Sequence, residues 1–191
     1  MMIKPPGWLF LAAVSAVGCV VLYWASVPHW YVFEMFLFTF FVGGVLAAYW
    51  VILFGVAAGR GELSGRLRRW FLPSLIPVVV VIALVADVPF WVRFTISEPS
   101  MRAFAQTMSV EALRDDSCRW LGLYRVCWAS TYSTSGGEDV PGNAVLESEE
   151  WAIESNTGFV WLPEGQPEET ADDSYRHLKD HWYGWHGWDS W

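Results

Sequence analysis

The chain has 191 residues, of which 54% are hydrophobic and 14 are tryptophan, and its formal net charge is −8. The charge is unevenly divided: 17 acidic and six basic side chains lie from Thr95 onward, against three acidic and six basic ones before it. A strongly acidic C-terminal half argues against nucleic acid or anionic lipid headgroups as its partner, because like charges repel.

Three apolar runs occupy the first half of the chain, at about residues 8–27, 31–58 and 71–92. Each reaches the roughly 20 residues that a helix needs to cross a ~30 Å hydrocarbon core. Because lipid offers the backbone no hydrogen-bond partner, a helix is the expected conformation of each run. The sequence therefore predicts a three-helix transmembrane bundle in residues 1–94, followed by a separate domain in residues 95–191.

The basic residues predict the orientation of these runs. Lys4 precedes the first run, and four arginines separate the second run from the third: Arg60, Arg66, Arg68 and Arg69. By the positive-inside rule, the N-terminus is cytoplasmic and the domain after the third run is extracytoplasmic. Arg93 alone opposes this assignment. The expected location is a cytoplasmic membrane, crossed several times.

Two carboxylates lie inside the apolar runs, Glu34 in the second and Asp87 in the third. Both are expected about one to one and a half turns below the outer end of their helix. Intramembrane carboxylates are costly and are candidates for proton or cation handling. The alternative is that they reach the interface, or accept hydrogen bonds from neighbouring Trp or Tyr side chains.

The outer domain is predicted to be a small α+β unit with a mostly antiparallel sheet. Ser97 and Pro99 are typical of a helix start, and four apolar side chains follow at helical spacing: Met101, Phe104, Ala105 and Met108. Alternating or turn-bounded segments predict strands at Trp120–Tyr132, Ala144–Glu147, Glu150–Glu154 and Gly158–Leu162. The acidic, proline-bearing segment from Pro163 to Ser174 is expected to be a loop.

Cys118 and Cys127 are the two cysteines of this domain, and an oxidising compartment permits a disulfide between them. On one straight strand they would lie ~30 Å apart, far beyond disulfide reach. Either the chain turns back near Leu121-Gly122 and the bridge forms, or the strand is straight and the thiols do not pair. Cys19 lies inside the first apolar run and is expected to be reduced.

The C-terminal segment is rich in tryptophan and histidine, and three interpretations of it stay open. The tail folds back into the domain core or onto the headgroup layer. Alternatively, it forms an exposed stacking surface for a partner or glycan, made of Trp182, Tyr183, Trp185, Trp188 and Trp191. In the third interpretation His177, His181 and His186 bind a metal, although no second spaced ligand pair supports them.

Several short motifs in the second half resemble a group of small membrane proteins from high-GC Gram-positive bacteria that have no assigned activity. The motifs are Gly122–Val126, Gly158–Pro163, Tyr175–Leu178 and Trp182–Trp185. The resemblance covers mainly residues 90–185 and implies a few N-terminal spans joined to a small outer domain. The outer cysteines are not regular in that group, and the segment beyond Trp185 departs from it.

No motif for a nucleotide, a dinucleotide or a serine nucleophile occurs in the chain, so no catalytic residue and no cofactor are predicted. The leading expectation is a non-enzymatic integral membrane protein, an accessory subunit of a membrane or envelope complex, for example a respiratory one. Its outer domain would bind a partner protein. One alternative is an oligomeric ion or proton pathway through Glu34 and Asp87. The other is an extracytoplasmic metal-binding protein or enzyme that uses the C-terminal histidines.

Overall fold

The N-terminal half of the chain is helical, and the C-terminal half forms an antiparallel sheet with one long helix. The computed structural model describes residues 6–61, 67–111, 115, 117–134, 142–149, 157–170 and 173–187. It divides into two compact units. The helical unit contains Met1–Trp24 and Val32–Pro89, and the sheet unit contains Ala25–Tyr31 and Phe90–Trp191.

The helical unit consists of α1 (Trp8–Trp24), α2 (Val32–Phe38), α3 (Gly44–Gly59) and α4 (Leu67–Val85). A π-helical turn, Thr39–Gly43, joins α2 to α3 without a break. Helices α1 and α4 approach closely at Gly18, where an added Cβ would lie 2.9 Å from a methyl carbon of Val80. Glycine is therefore the residue that lets these two backbones meet, as is common where helices pack in membranes.

Among the described residues, the continuous helix from Val32 to Gly59 is the one element that is long and apolar enough to span a membrane by itself. Helix α1 is shorter, and residues 69–85 and 88–108 pass the same criterion only when taken together. Most large apolar side chains of the Val32–Gly59 helix are exposed, for example Phe36 and Ile52. The structure thus supports one candidate span, and the three-helix transmembrane bundle is not confirmed.

The third predicted run is not a single helix. Helix α4 ends at Val85, and a new helix, α5, begins at Val88 and continues to Glu111. Asp87, in the break, has a left-handed backbone with φ of 52°. The physical reason is Pro89: it has no N–H to continue a helix from α4, whereas the first turn of a new helix requires none.

A helix start at Ser97 is also wrong, because α5 passes through Ser97 and Pro99 without interruption. The Ser97 hydroxyl does not cap this helix and instead accepts a hydrogen bond from the backbone N–H of Leu123, at 2.9 Å. The apolar spacing after it was informative, since Met101, Ala105 and Met108 are all buried.

The sheet has six antiparallel strands in the order β1-β2-β3-β4-β6-β5. Their bounds are β1 Arg119–Leu121, β2 Tyr124–Ser130, β3 Ala144–Ser148, β4 Thr157–Trp161, β5 Asp173–Lys179 and β6 Trp182–Gly187. The strands predicted at 144–147 and 158–162 agree with β3 and β4 within one residue, whereas the strand predicted at 150–154 lies outside the described residues. The single strand predicted over 120–132 is in fact a hairpin that turns at Gly122-Leu123.

Both faces of the sheet are covered by apolar side chains. On one face, the ring of Phe94 in α5 stacks on Phe159 of β4 with centroids 5.8 Å apart, and it meets Trp182 of β6 edge-on. The other face holds a second buried cluster: Tyr132, Val145, Val160, Leu162, Tyr183 and Trp185. Burial on both faces explains why β4 contains no exposed residue.

The segment Ala25–Tyr31, which separates α1 from α2, packs within the sheet unit. Its Ser26 hydroxyl accepts a hydrogen bond from Nη1 of Arg93 at 2.9 Å, and the hydroxyl of Tyr124 donates to the Ser26 carbonyl at 2.7 Å. Arg93, which opposed the predicted orientation, is therefore a buried structural residue. Its guanidinium also lies 4.2 Å from the centre of the Tyr124 ring.

Candidate functional site

The predicted tryptophan tail contributes a strand to the sheet. Trp182 and Trp185 lie in β6 and are almost fully buried, and Tyr183 is buried with its hydroxyl donating to the carbonyl of Gly165 at 3.3 Å. Their side chains belong to the domain core, as in the first of the three interpretations, and not to an exposed stacking surface. Trp188 and Trp191 lie outside the described residues.

The histidines of this segment are spread over both faces of the β5–β6 hairpin. His177 in β5 contacts Tyr183, whereas His181 lies in the turn against Trp161. His186 lies near the far end of β6, where it pairs with Ser174, and by strand alternation it points to the face opposite His177. His177 and His181, four positions apart, therefore lie in a strand and a turn and do not share a helix face. In the described part of the chain, the side chains of these three histidines do not come together as one metal site.

His186 instead faces His29, in the Ala25–Tyr31 segment, with ring centroids 5.4 Å apart. Burial lowers the pKa of His29, and the charges of His186 and Arg176 lower it further, while a backbone hydrogen bond at Gly184 opposes them. Gly184 makes this approach possible, because an added Cβ would lie 2.5 Å from Cβ of Pro28. Nothing in the sequence spacing indicated this pair.

Cys118 and Cys127 form a disulfide, so the prediction that the chain turns back is confirmed. The β1–β2 register brings the two cysteines together, because they flank Arg119 and Val126, which pair across the hairpin. An Oε2 atom of Glu149 lies 3.8 Å from Sγ of Cys118. These three residues are the one group of potential metal ligands in the described part of the chain. The sulfurs cannot act as thiolate ligands while the bond stands.

The two acids that lie in the predicted apolar runs occupy different local environments in the helical unit. Glu34 lies in the first turn of α2 and is only 4% exposed. Asp87 is partly exposed and lies in the break between α4 and α5. The expectation that both act in an ion pathway is neither supported nor contradicted by these positions.

The outer edge of β5 is the longest open strand edge in the described sheet. Seven residues, Asp173–Lys179, pair with β6 on one side only, whereas the opposite edge strand, β1, has three. Ser174, His177 and Lys179 are exposed along β5. Unpaired N–H and C=O groups of such an edge can accept an additional strand from another chain.

The β5 strand was not predicted, because the region up to Ser174 was expected to be a loop and no strand was assigned to the residues after it. The available signal was the alternation in Tyr175–Lys179, followed by a two-residue turn at Asp180-His181. Asp180 has a φ of 52°, a conformation that Asp tolerates better than most residues.

Comparison with known proteins adds no relative: no family model, no curated protein and no solved structure matches this chain.

Proposed function

We propose that this protein is a non-enzymatic membrane protein whose extracytoplasmic sheet domain binds a partner protein, as an accessory subunit of a membrane or envelope complex. The candidate span Val32–Gly59 supports membrane anchoring, because its exposed apolar side chains suit lipid far better than water. We further propose that the runs containing α1 and α4 also cross the bilayer, with the N-terminus cytoplasmic, as the arginine distribution favours.

The observation that carries the partner proposal is the open edge of β5. Trp182 and Trp185 of β6 are buried, so the exposed feature of the β5–β6 hairpin is the edge of β5 and not the aromatic rings of β6. An extended segment of the partner would add to β5 through backbone hydrogen bonds, with His177 and Lys179 beside it. Lys179 is exposed at the end of this edge, so an acidic side chain in the partner segment would pair with it.

Site-specific photo-crosslinking in native membranes tests this proposal. A photoreactive residue is placed at His177, on the β5 edge, and in a second protein at Trp120, on the opposite edge; both positions are exposed. We expect a discrete protein adduct from position 177 and none from position 120. The adducted protein should co-purify with the unmodified chain at fixed stoichiometry in mild detergent. The proposal is refuted if position 177 gives no adduct and the protein purifies alone as a monodisperse species.

The burial of Glu34 favours a second candidate, an oligomeric proton or cation pathway. Reconstitution of the wild-type protein into liposomes with a pH-sensitive dye would reveal such a flux. The double variant Glu34→Gln, Asp87→Asn should then abolish it, whereas Glu164→Gln, in an exposed loop of the sheet unit, should leave it unchanged. Absent flux, or flux that the double variant retains, rejects this candidate.

A further inference from the structure

The exposed large apolar side chains of the described sheet unit are concentrated in two neighbouring places. Trp91, Val92 and Ile96 lie in the first turns of α5, and Trp120 and Leu123 lie in the β1–β2 hairpin. Val92 is 54%, Ile96 57%, Trp120 66% and Leu123 45% exposed. Elsewhere in this unit the large apolar residues are buried or half-buried, so this surface requires an explanation.

The hairpin tip is fixed against α5, so these side chains form one surface. The N–H of Leu123 donates to the Ser97 hydroxyl, and the Leu123 carbonyl accepts two hydrogen bonds from Arg93. Gly122 permits the contact, because an added Cβ would lie 2.5 Å from Cα of Ser97. Val92 and Ile96 each precede one of these anchoring residues by a single position, so their exposed stripe on α5 lies about 100° around the helix from the face that holds Leu123.

The connections to the apolar helices leave the sheet unit at the same place. Ser26, which Arg93 contacts, follows the last residue of α1 by two positions, a reach of about 7 Å of chain. Arg93 lies five residues into α5, about 7.5 Å along the helix from its start. A bilayer that holds Val32–Gly59 is joined to the sheet unit through the Ala25–Tyr31 segment, to which Arg93 is hydrogen-bonded.

The charge of the hairpin favours lipid over a protein as the occupant of this surface. Arg119 forms an ion pair with Asp115, so Arg125 is the cation that the hairpin presents, within a half-chain that has 17 acidic residues. Arg125 is exposed and pairs across the hairpin with Trp120. Tryptophan and arginine side by side are typical of the headgroup layer, where a ring and a cation are both accommodated.

We infer that the β1–β2 hairpin tip and the first turns of α5 lie in the outer headgroup layer, with Leu123 at the acyl boundary. This inference rests on the membrane anchoring in the proposed function. It departs from the sequence-based expectation that the acidic half avoids anionic headgroups, because the net charge of the half-chain does not describe this local surface. Leu123 and Ile96 would supply the apolar contact, and Arg125 the attraction to phosphate.

Depth-dependent fluorescence quenching tests the inference. Leu123→Cys is labelled with a small fluorophore in a Cys19→Ser background, where the Cys118–Cys127 disulfide leaves no other free thiol. The protein is reconstituted into phosphatidylcholine–phosphatidylglycerol vesicles that contain lipids spin-labelled near the headgroup or deep in the chain. Two matched proteins carry the label on a cysteine elsewhere. One has Ile52→Cys, in the candidate span, and the other has Glu164→Cys, in an exposed loop of the sheet unit.

We expect shallow spin labels to quench roughly half of the emission from position 123, since interfacial groups lie only ~5–10 Å into the headgroup boundary. Position 52 should be quenched more by the deep label, and position 164 by neither. If position 52 is quenched while 123 behaves like 164, or is blue-shifted but unquenched, the inference is wrong and the anchoring stands. If position 52 is also unquenched, the anchoring itself fails.

Discussion

Arg93 donates two hydrogen bonds to the carbonyl oxygen of Leu123, from Nε at 3.2 Å and from Nη2 at 2.6 Å. The residues are 30 positions apart, and the contact joins the start of α5 to the tip of the β1–β2 hairpin. A third hydrogen bond from the same guanidinium reaches Ser26. One buried side chain thereby joins three segments that are distant in sequence, a role that requires the forked donors of arginine.

Replacing Arg93 with Met should destabilise the sheet unit by about 1–3 kcal/mol, because the Leu123 carbonyl would lose its charged donor. Arg93→Lys should recover only part of this, since an ammonium cannot reach Leu123 and Ser26 in the same forked geometry. Thermal unfolding followed by near-UV circular dichroism in detergent measures both. Lys179→Met, at an exposed site, is the matched control; an Arg93→Met protein as stable as this control would contradict the role.

The disulfide predicts a simple count of free thiols. The chain has three cysteines, and Cys118 is bonded to Cys127. Under denaturing conditions a maleimide–polyethylene glycol reagent should therefore add once without prior reduction and three times after it. Cys118→Ala with Cys127→Ala should cost about 2–3 kcal/mol of stability, as expected for a short closed loop. Three adducts in the unreduced protein would show that the bridge is absent in the cell.

A comparison of alanine substitutions at Gly122 and Gly165 separates the cost of a steric clash at the hairpin tip from the cost of a left-handed backbone. Both have positive φ, at 64° and 82°, but only the Cβ of a residue at 122 would meet a neighbour, the backbone of Ser97. Gly165→Ala should cost about 1–2 kcal/mol from the left-handed conformation alone. Gly122→Ala should lower the free energy of unfolding by clearly more. Chemical denaturation of both variants measures the difference. Equal costs would mean that the hairpin does not rest on α5.

The lowered pKa of His29 makes stability depend on pH in a defined window. The folded protein binds this proton more weakly than the unfolded chain, so the stabilisation is complete above the ordinary pKa of 6.5 and is lost as pH falls below it. Between pH 7 and 5 the melting temperature should fall less in His29→Gln than in the wild type. An unchanged slope in His29→Gln would contradict the burial of this ring.

Local patterns predicted those parts of the fold that depend on local chemistry. The alternation and turn residues around β3 and β4 located both strands, because side-chain period and turn composition are properties of adjacent residues. The helical spacing of Met101, Ala105 and Met108 located their buried face for the same reason. The hairpin at Gly122 was one of two open alternatives, and the reach of a disulfide was the argument for it.

The remaining features depend on contacts between distant residues. The β5–β6 hairpin was missed because the repeated tryptophans and the spacing of His177 and His181 suit a helix as well as a strand. Asp87 looked like an acid inside one continuous span, although Pro89, two residues later, was a usable signal for the break. The pairing of His29 with His186 had no local signal, since it depends on how the Ala25–Tyr31 segment packs against β6.

The Ala25–Tyr31 segment has a practical consequence for anyone who prepares the sheet unit as a separate protein. Ala25 and Val27 are almost completely buried within the sheet unit, and Pro28 lies against Gly184. A recombinant fragment that begins at Phe90 would omit them and expose the apolar surface that they cover. During translation this segment also leaves the ribosome long before the strands that it packs against. The sheet unit therefore cannot complete its folding until the last strand, β6, has been synthesised.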